Sequence, residues 1–196
     1  MLKTSLIPAA AAIVALVGCA NDSATSGMPT EHGSASASAS PSTSAFNDTD
    51  IMFVQTMLPH HDQAVSMSDL LLDKRGVHPE VAALARQIRD AQQTEIETMN
   101  GWFEAMGHPQ VEEGPHHGGL DGMLTENEMQ QLDQANARDG QRLFIEGMIK
   151  HHTGAIEMAQ KEITGGQHPG PVDLANNIAT TQQQEIEVMT NLLTKI

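Results

Sequence analysis

The sequence predicts an all-α fold: a four-helix bundle built from two duplicated helical hairpins, preceded by a disordered N-terminal tether. Three observations lead to it. First, residues 47–196 repeat themselves. With a shift of 91, residues 53–67 lie over 144–158 with six of fifteen positions identical; with a shift of 90, residues 84–99 lie over 174–189 with nine of sixteen identical. Chance at ordinary composition gives about one identity per window, so the two halves share one design. Second, each copy reads as an apolar-periodic segment, a Gly or Pro turn and a second such segment, with His78-Pro79 lying over His168-Pro169. Third, no stretch alternates apolar and polar residues for long enough to form a strand.

The chain begins with an export signal. Lys3 supplies a positive charge, and residues 4–18 are almost free of polar groups. At ~1.5 Å per residue that run falls short of a ~30 Å hydrocarbon core, so residues 1–18 read as a signal peptide rather than a membrane span. The run closes on Leu16-Val17-Gly18-Cys19, which resembles the bacterial lipobox. The lone cysteine of the chain stands where that motif carries its lipid. The reading is therefore an extracytoplasmic lipoprotein tethered to a membrane through Cys19. Residues 19–46 are rich in Ser, Ala, Gly and Pro and lack an apolar period. They read as a flexible linker with a reach on the order of 30 Å.

The four long helices follow. The first spans about 48 to 73 and stops near Lys74-Arg75-Gly76; the second runs from Pro79 to about Met106. Thr125-Glu126-Asn127-Glu128 has the form of a capping box and opens a short helix. The third long helix covers about 138 to 164 and the fourth about 171 to 194. Repeat 1 thus spans about 47–107 and repeat 2 about 138–196. Pro59 is expected to kink the first helix beside its histidines, whereas Lys150 stands at that place in the second copy. The crossover between the repeats carries His108, His116 and His117, which read either as a solvated loop or as a second metal site.

Composition narrows the function. Ten Lys and Arg against 25 Asp and Glu leave a net charge of −15, which argues against nucleic acid and favours cations. A single Cys excludes an intramolecular disulfide framework and a Cys-based zinc finger. With no Tyr, one Trp and four Phe, the core must be aliphatic and Met-based, and twelve Met and ten His are the oddity.

The chemistry lies in Met-x-x-His-His-x5-Met, present as Met57, His60, His61, Met67 and again as Met148, His151, His152, Met158. At ~100° per residue from Met57, His60 falls near about −60°, His61 near about +40° and Met67 near about −80°. All four share one side of the helix. Thioether sulfur with imidazole nitrogen suits a soft or borderline ion, Cu(I) above all, while Cu(II) prefers the imidazoles with oxygen. On the partner helices, Glu95 and Glu185 stand in phase with apolar positions, with Met99 and Met189 four residues on and Gln92 and Gln182 one turn back. An inward carboxylate must be paired or metal-bound, so Glu95 and Glu185 read as ligands or as groups that orient a ligating imidazole. Glu97 and Glu187 fall on the opposite, solvated face.

These two signatures resemble those of a bacterial family of exported ferritin-like proteins long known only as a domain of unknown function. The resemblance covers about residues 47–196 and implies a ferritin-like four-helix bundle. Some members bind copper through Met and His in copper resistance. Carried over, that implies ligation by Met57, His60, His61, Met67, Met148, His151, His152 and Met158.

The leading expectation is a lipid-anchored protein that sequesters or transfers copper, with binding that weakens as pH falls through the imidazole range, about 6.5. An alternative is a non-catalytic envelope module whose His and Glu form a buried hydrogen-bond network. A ferritin-like oxidoreductase is less favoured, because the paired-helix histidines lack the Glu-x-x-His motif of di-iron sites: Met57 and Met148 stand three residues before His60 and His151.

Overall fold

A computed structural model describes residues 45–107 and 122–196. The signal segment, Cys19, nearly all of the tether, and His108, His116 and His117 lie outside the described residues. The described chain is all-α: α1 (Asp48–Leu72), α2 (Pro79–Ala105), α3 (Glu126–Gln134), α4 (Ala137–Gly165) and α5 (Pro169–Leu193). Among the described residues no helix is long and apolar enough to cross a membrane.

Each helix starts where local chemistry satisfies its free N–H groups. Asn47 caps α1 in a reciprocal box with Asp50. Thr125 does the same for α3 with Glu128, the one box the sequence anticipates. Asn136 caps α4 by accepting from Asp139. The α2 and α5 starts are near copies: His78 Nδ1 accepts the Glu80 N–H at 3.3 Å, His168 Nδ1 accepts the Gly170 N–H at 3.1 Å, and a proline follows each histidine. This corrects one boundary. Helix α5 begins at Pro169 rather than at 171, because the His168 ring serves as its cap. Helix α1 runs through Pro59 as one continuous helix.

α1 lies along α2, α4 lies along α5, and the two pairs meet through α1 against α4; α3 rides on α4 and α1, while α2 and α5 touch only lightly. The apolar core divides into two clusters. One gathers Leu71, Ile88, Leu132, Phe144 and Ile145; the other gathers Phe53, Val54, Phe103 and Ile178. The chain returns from the crossover onto α4 at Gly122, whose φ is +88°. A Cβ there would stand 2.6 Å from the Lys150 carbonyl, so both backbone conformation and space demand glycine.

A buried acid pair ties the start of α1 to the α4–α5 turn. Asp50 and Glu162 are both fully buried. Burial by itself would raise Asp50. The backbone N–H groups of Asn47, His168 and Gln167, together with the Glu162 carboxyl, outweigh burial and hold Asp50 below its usual range. Glu162, buried beside that anion, is pushed up to about 8. Glu162 is therefore neutral in the fold at neutral pH and ionised in the unfolded chain. Between its ordinary value of 4.5 and about 8 the native state holds one more proton, so its contribution to stability falls as pH rises through that window. Glu162→Gln should remove this slope. Urea melts of both proteins from about pH 5 to about pH 8.5 should converge at the acid end and separate at the basic end, with the variant the more stable there.

Candidate metal centre

Helix α1 carries the first Met/His set and α4 the second, and the contact between these helices buries both. Met57, His60, His61, Met67, Met148, His151 and His152 have no exposed surface, and Met158 is buried. The imidazoles meet across the contact. The His60 and His151 rings lie 3.7 Å apart, centre to centre and tilted by 42°, and the His151 and His152 rings are 6.4 Å apart.

Three of these rings have a defined hydrogen-bond polarity. His61 Nε2 lies 2.7 Å from Glu95 Oε2, His152 Nε2 lies 2.9 Å from Glu185 Oε2, and His151 Nε2 lies 2.8 Å from the His60 carbonyl oxygen. Carboxylate and carbonyl oxygens accept, so in each case Nε2–H donates. A ring that donates there and is neutral carries its lone pair on Nδ1. The Nδ1 atoms of His61, His151 and His152 are buried and have no hydrogen-bond partner. Burial, reinforced by the neighbouring His60, His152 and His61, holds His151 well below the usual imidazole range. Proton competition at that ring is thus displaced to a lower pH than the unperturbed value expected from sequence.

The sulfurs divide. Met57, Met99 and Met158 belong to one apolar cluster, whereas Met67, Met148 and Met189 belong to the other. Residues that correspond under the repeat fall in opposite clusters, so each cluster draws one methionine from α1, one from α4 and one from α2 or α5. The imidazoles sit between two thioether triads. Glu95 and Glu185 are half-buried and reach the rings with one oxygen each. Glu97 and Glu187 are exposed, as their helical phase requires. Among the described residues, no three His, Cys, Asp or Glu side chains converge on one point.

Two features escaped sequence reasoning. The acceptor for His151 is a backbone carbonyl, which leaves no mark in residue type. The Asp50–Glu162 pair brings together residues from two helices, and the acid in α4 has no acidic counterpart under the repeat, where Leu71 stands. The site's donor polarity has a direct readout. Nitrogen-15 NMR of the metal-free protein at about pH 8 should find His61, His151 and His152 in the Nε2–H form with bare Nδ1, and Glu95→Gln should perturb His61 while sparing His152.

The family model described as "Domain of unknown function (DUF305)" matches residues 50–193. No curated protein matches the chain. Among solved structures, a DUF305 fragment from Deinococcus radiodurans is 30% identical with a TM-score of 0.71, covering 77% of this chain and 99% of that one. A DUF305 protein from Streptomyces coelicolor is 29% identical with a TM-score of 0.70, covering 75% of this chain and 93% of its own. CopM in its Cu(II)-bound form is 31% identical with a TM-score of 0.65, covering 74% of this chain and 96% of that chain; CopM has also been solved in Cu(I)-bound and Ag-bound forms. With a matching model over most of its length and relatives covered almost end to end, the chain belongs to the DUF305 family.

Proposed function

We propose that this is an extracytoplasmic, lipid-anchored copper-binding protein, whose four long helices form a ferritin-like bundle of two repeated hairpins and hold the ion for sequestration or transfer. One observation carries the reading. Three buried imidazoles each donate Nε2–H to a fixed acceptor and leave Nδ1 bare inside a methionine-rich core. A second partner that fixes the tautomer is the usual arrangement behind a ligating imidazole. The donor set fits copper. Thioether sulfur beside imidazole nitrogen makes a soft donor set, which suits Cu(I). The copper- and silver-bound structures of CopM support the same choice. His60, His61, His151 and His152 would supply nitrogen, and Met57, Met67, Met148 and Met158 sulfur. Met99 and Met189 stand as additional sulfur donors, and Glu95 and Glu185 hold the rings. Cys19 would carry the lipid that keeps the protein at a membrane.

The second reading is a non-catalytic envelope module in which the His61–Glu95 and His152–Glu185 pairs rigidify the core without metal. It is favoured by the completeness of those two hydrogen bonds. Melting separates the two readings: copper should raise the transition temperature and a chelator reverse it, whereas a structural network alone leaves both curves unchanged.

Purified protein should bind about one or two copper ions per chain, and Ala at His60, His61, His151 and His152 together should abolish uptake. Equal binding by the quadruple variant would overturn the assignment. A gentler variant guards against simple unfolding. Met57→Leu with Met148→Leu conserves volume, at less than about 1.5 kcal/mol per site, and should lower Cu(I) affinity about tenfold or more while the fold persists.

A further inference from the structure

A second feature lies behind the histidines. Because α2 and α5 touch only lightly, a cleft of about 330 Å³ opens between them. Its lining includes Gln92, Glu95 and Ala91 from α2 and Gln182, Glu185 and Thr181 from α5. Gln92 and Gln182 are 3% and 2% exposed, and neither amide makes a hydrogen bond through its oxygen or its nitrogen. Desolvating an amide without pairing it is costly, and an apolar residue of similar size would avoid the cost. The chain bears it twice, at positions that correspond under the 90-residue shift. Each glutamine stands three residues before a glutamate, so each helix turns an amide and a carboxylate toward the same cleft.

We propose that the α2–α5 cleft is an oxygen-lined binding site for a hydrated divalent cation, held by Gln92, Gln182, Glu95 and Glu185. The donors are hard: two amide oxygens and the carboxylate oxygens not engaged by histidine. Glu95 and Glu185 each commit Oε2 to His61 and His152, and Glu185 Oε1 accepts from the exposed Gln87 amide at 3.2 Å, a bond that solvent can replace. Two carboxylates give the cleft a charge of the right sign for a cation, and the net charge of −15 supports it at long range. Oxygen donors select hard ions, which retain part of their water shell, and the cleft has room for such an ion with six waters at about 30 Å³ each. No sulfur and no imidazole lines this cleft, so its preference differs from that of the core beneath it. The site does not depend on the copper reading. One carboxylate separates it from each of two imidazoles, so an ion bound there would share Glu95 and Glu185 with the core.

Manganese(II) is the probe, because free Mn2+ gives an electron paramagnetic signal that binding attenuates. Titrating the whole, metal-free chain with Mn2+ should show about one ion bound per chain. Gln92→Leu with Gln182→Leu, which removes both unpaired amides and keeps their bulk, should weaken that binding about tenfold or more. Ala91→Phe, from an exposed position on the cleft wall, should fill the space and weaken it similarly without touching the amides. Absence of Mn2+ binding by the native chain would overturn the proposal. So would equal binding by both variants, since the ion would then be held by surface charge alone. Copper uptake measured on the same proteins reports on the imidazoles, so the two assignments fail separately.

Discussion

Burying four imidazoles between two helices imposes one constraint that orders the rest of this molecule: every ring N–H taken from water must meet an acceptor. Within the α1–α4 contact the His60 carbonyl serves His151. The acceptors for His61 and His152 come from outside the contact, from Glu95 on α2 and Glu185 on α5. That requirement holds the two outer helices at the depth where each can offer a single carboxylate oxygen. The fold can therefore be described as two inner helices that carry nitrogen and sulfur, and two outer helices that hold the nitrogen in one tautomer. Removing an acceptor would leave a buried donor unpaired, which costs more than the bond itself contributes.

Much of this was legible before any coordinates. The 91-residue repeat placed four long helices, and the capping box at Thr125–Glu128 placed the short one. The helical phase of Met57, His60, His61 and Met67 located one inward face, and all four are buried. The phase of Glu95 and Glu185 against Ile88 and Ile178 marked those acids as inward-leaning, and both meet imidazoles. These inferences worked because they depend on spacing within one helix. What spacing cannot express is the relation between helices. The angular argument drew thioethers and imidazoles onto one face, but a face ten residues long spans nearly three turns, or about 15 Å. Over that length the methionines at its two ends enter different apolar clusters. Pro171 reads as the start of α5, two residues late, because histidine is not among the usual capping residues and His168 gives no strong cap signal.

The Asp50–Glu162 pair shows a different use of buried charge. At the histidines, half-buried carboxylates accept from ring N–H groups. At the α1 start, one carboxylate is fully buried and saturated by backbone N–H groups, which leaves its neighbour to remain protonated. Neither arrangement uses a Lys or Arg. That accords with a chain poor in Lys and Arg, ten against 25 Asp and Glu.

The division of sulfur between interior and surface has a chemical consequence. The six thioethers around the histidines are all buried, whereas Met52 on the first turns of α1 is 63% exposed. Among the methionines of the described residues, Met52 is the most exposed to an oxidant arriving from solution, which converts it to the sulfoxide outside the two apolar clusters. The interior sulfurs react only when the helices part. Oxidative ageing of this protein should therefore begin as a silent surface change, and become damaging only once conformational opening admits peroxide to the core.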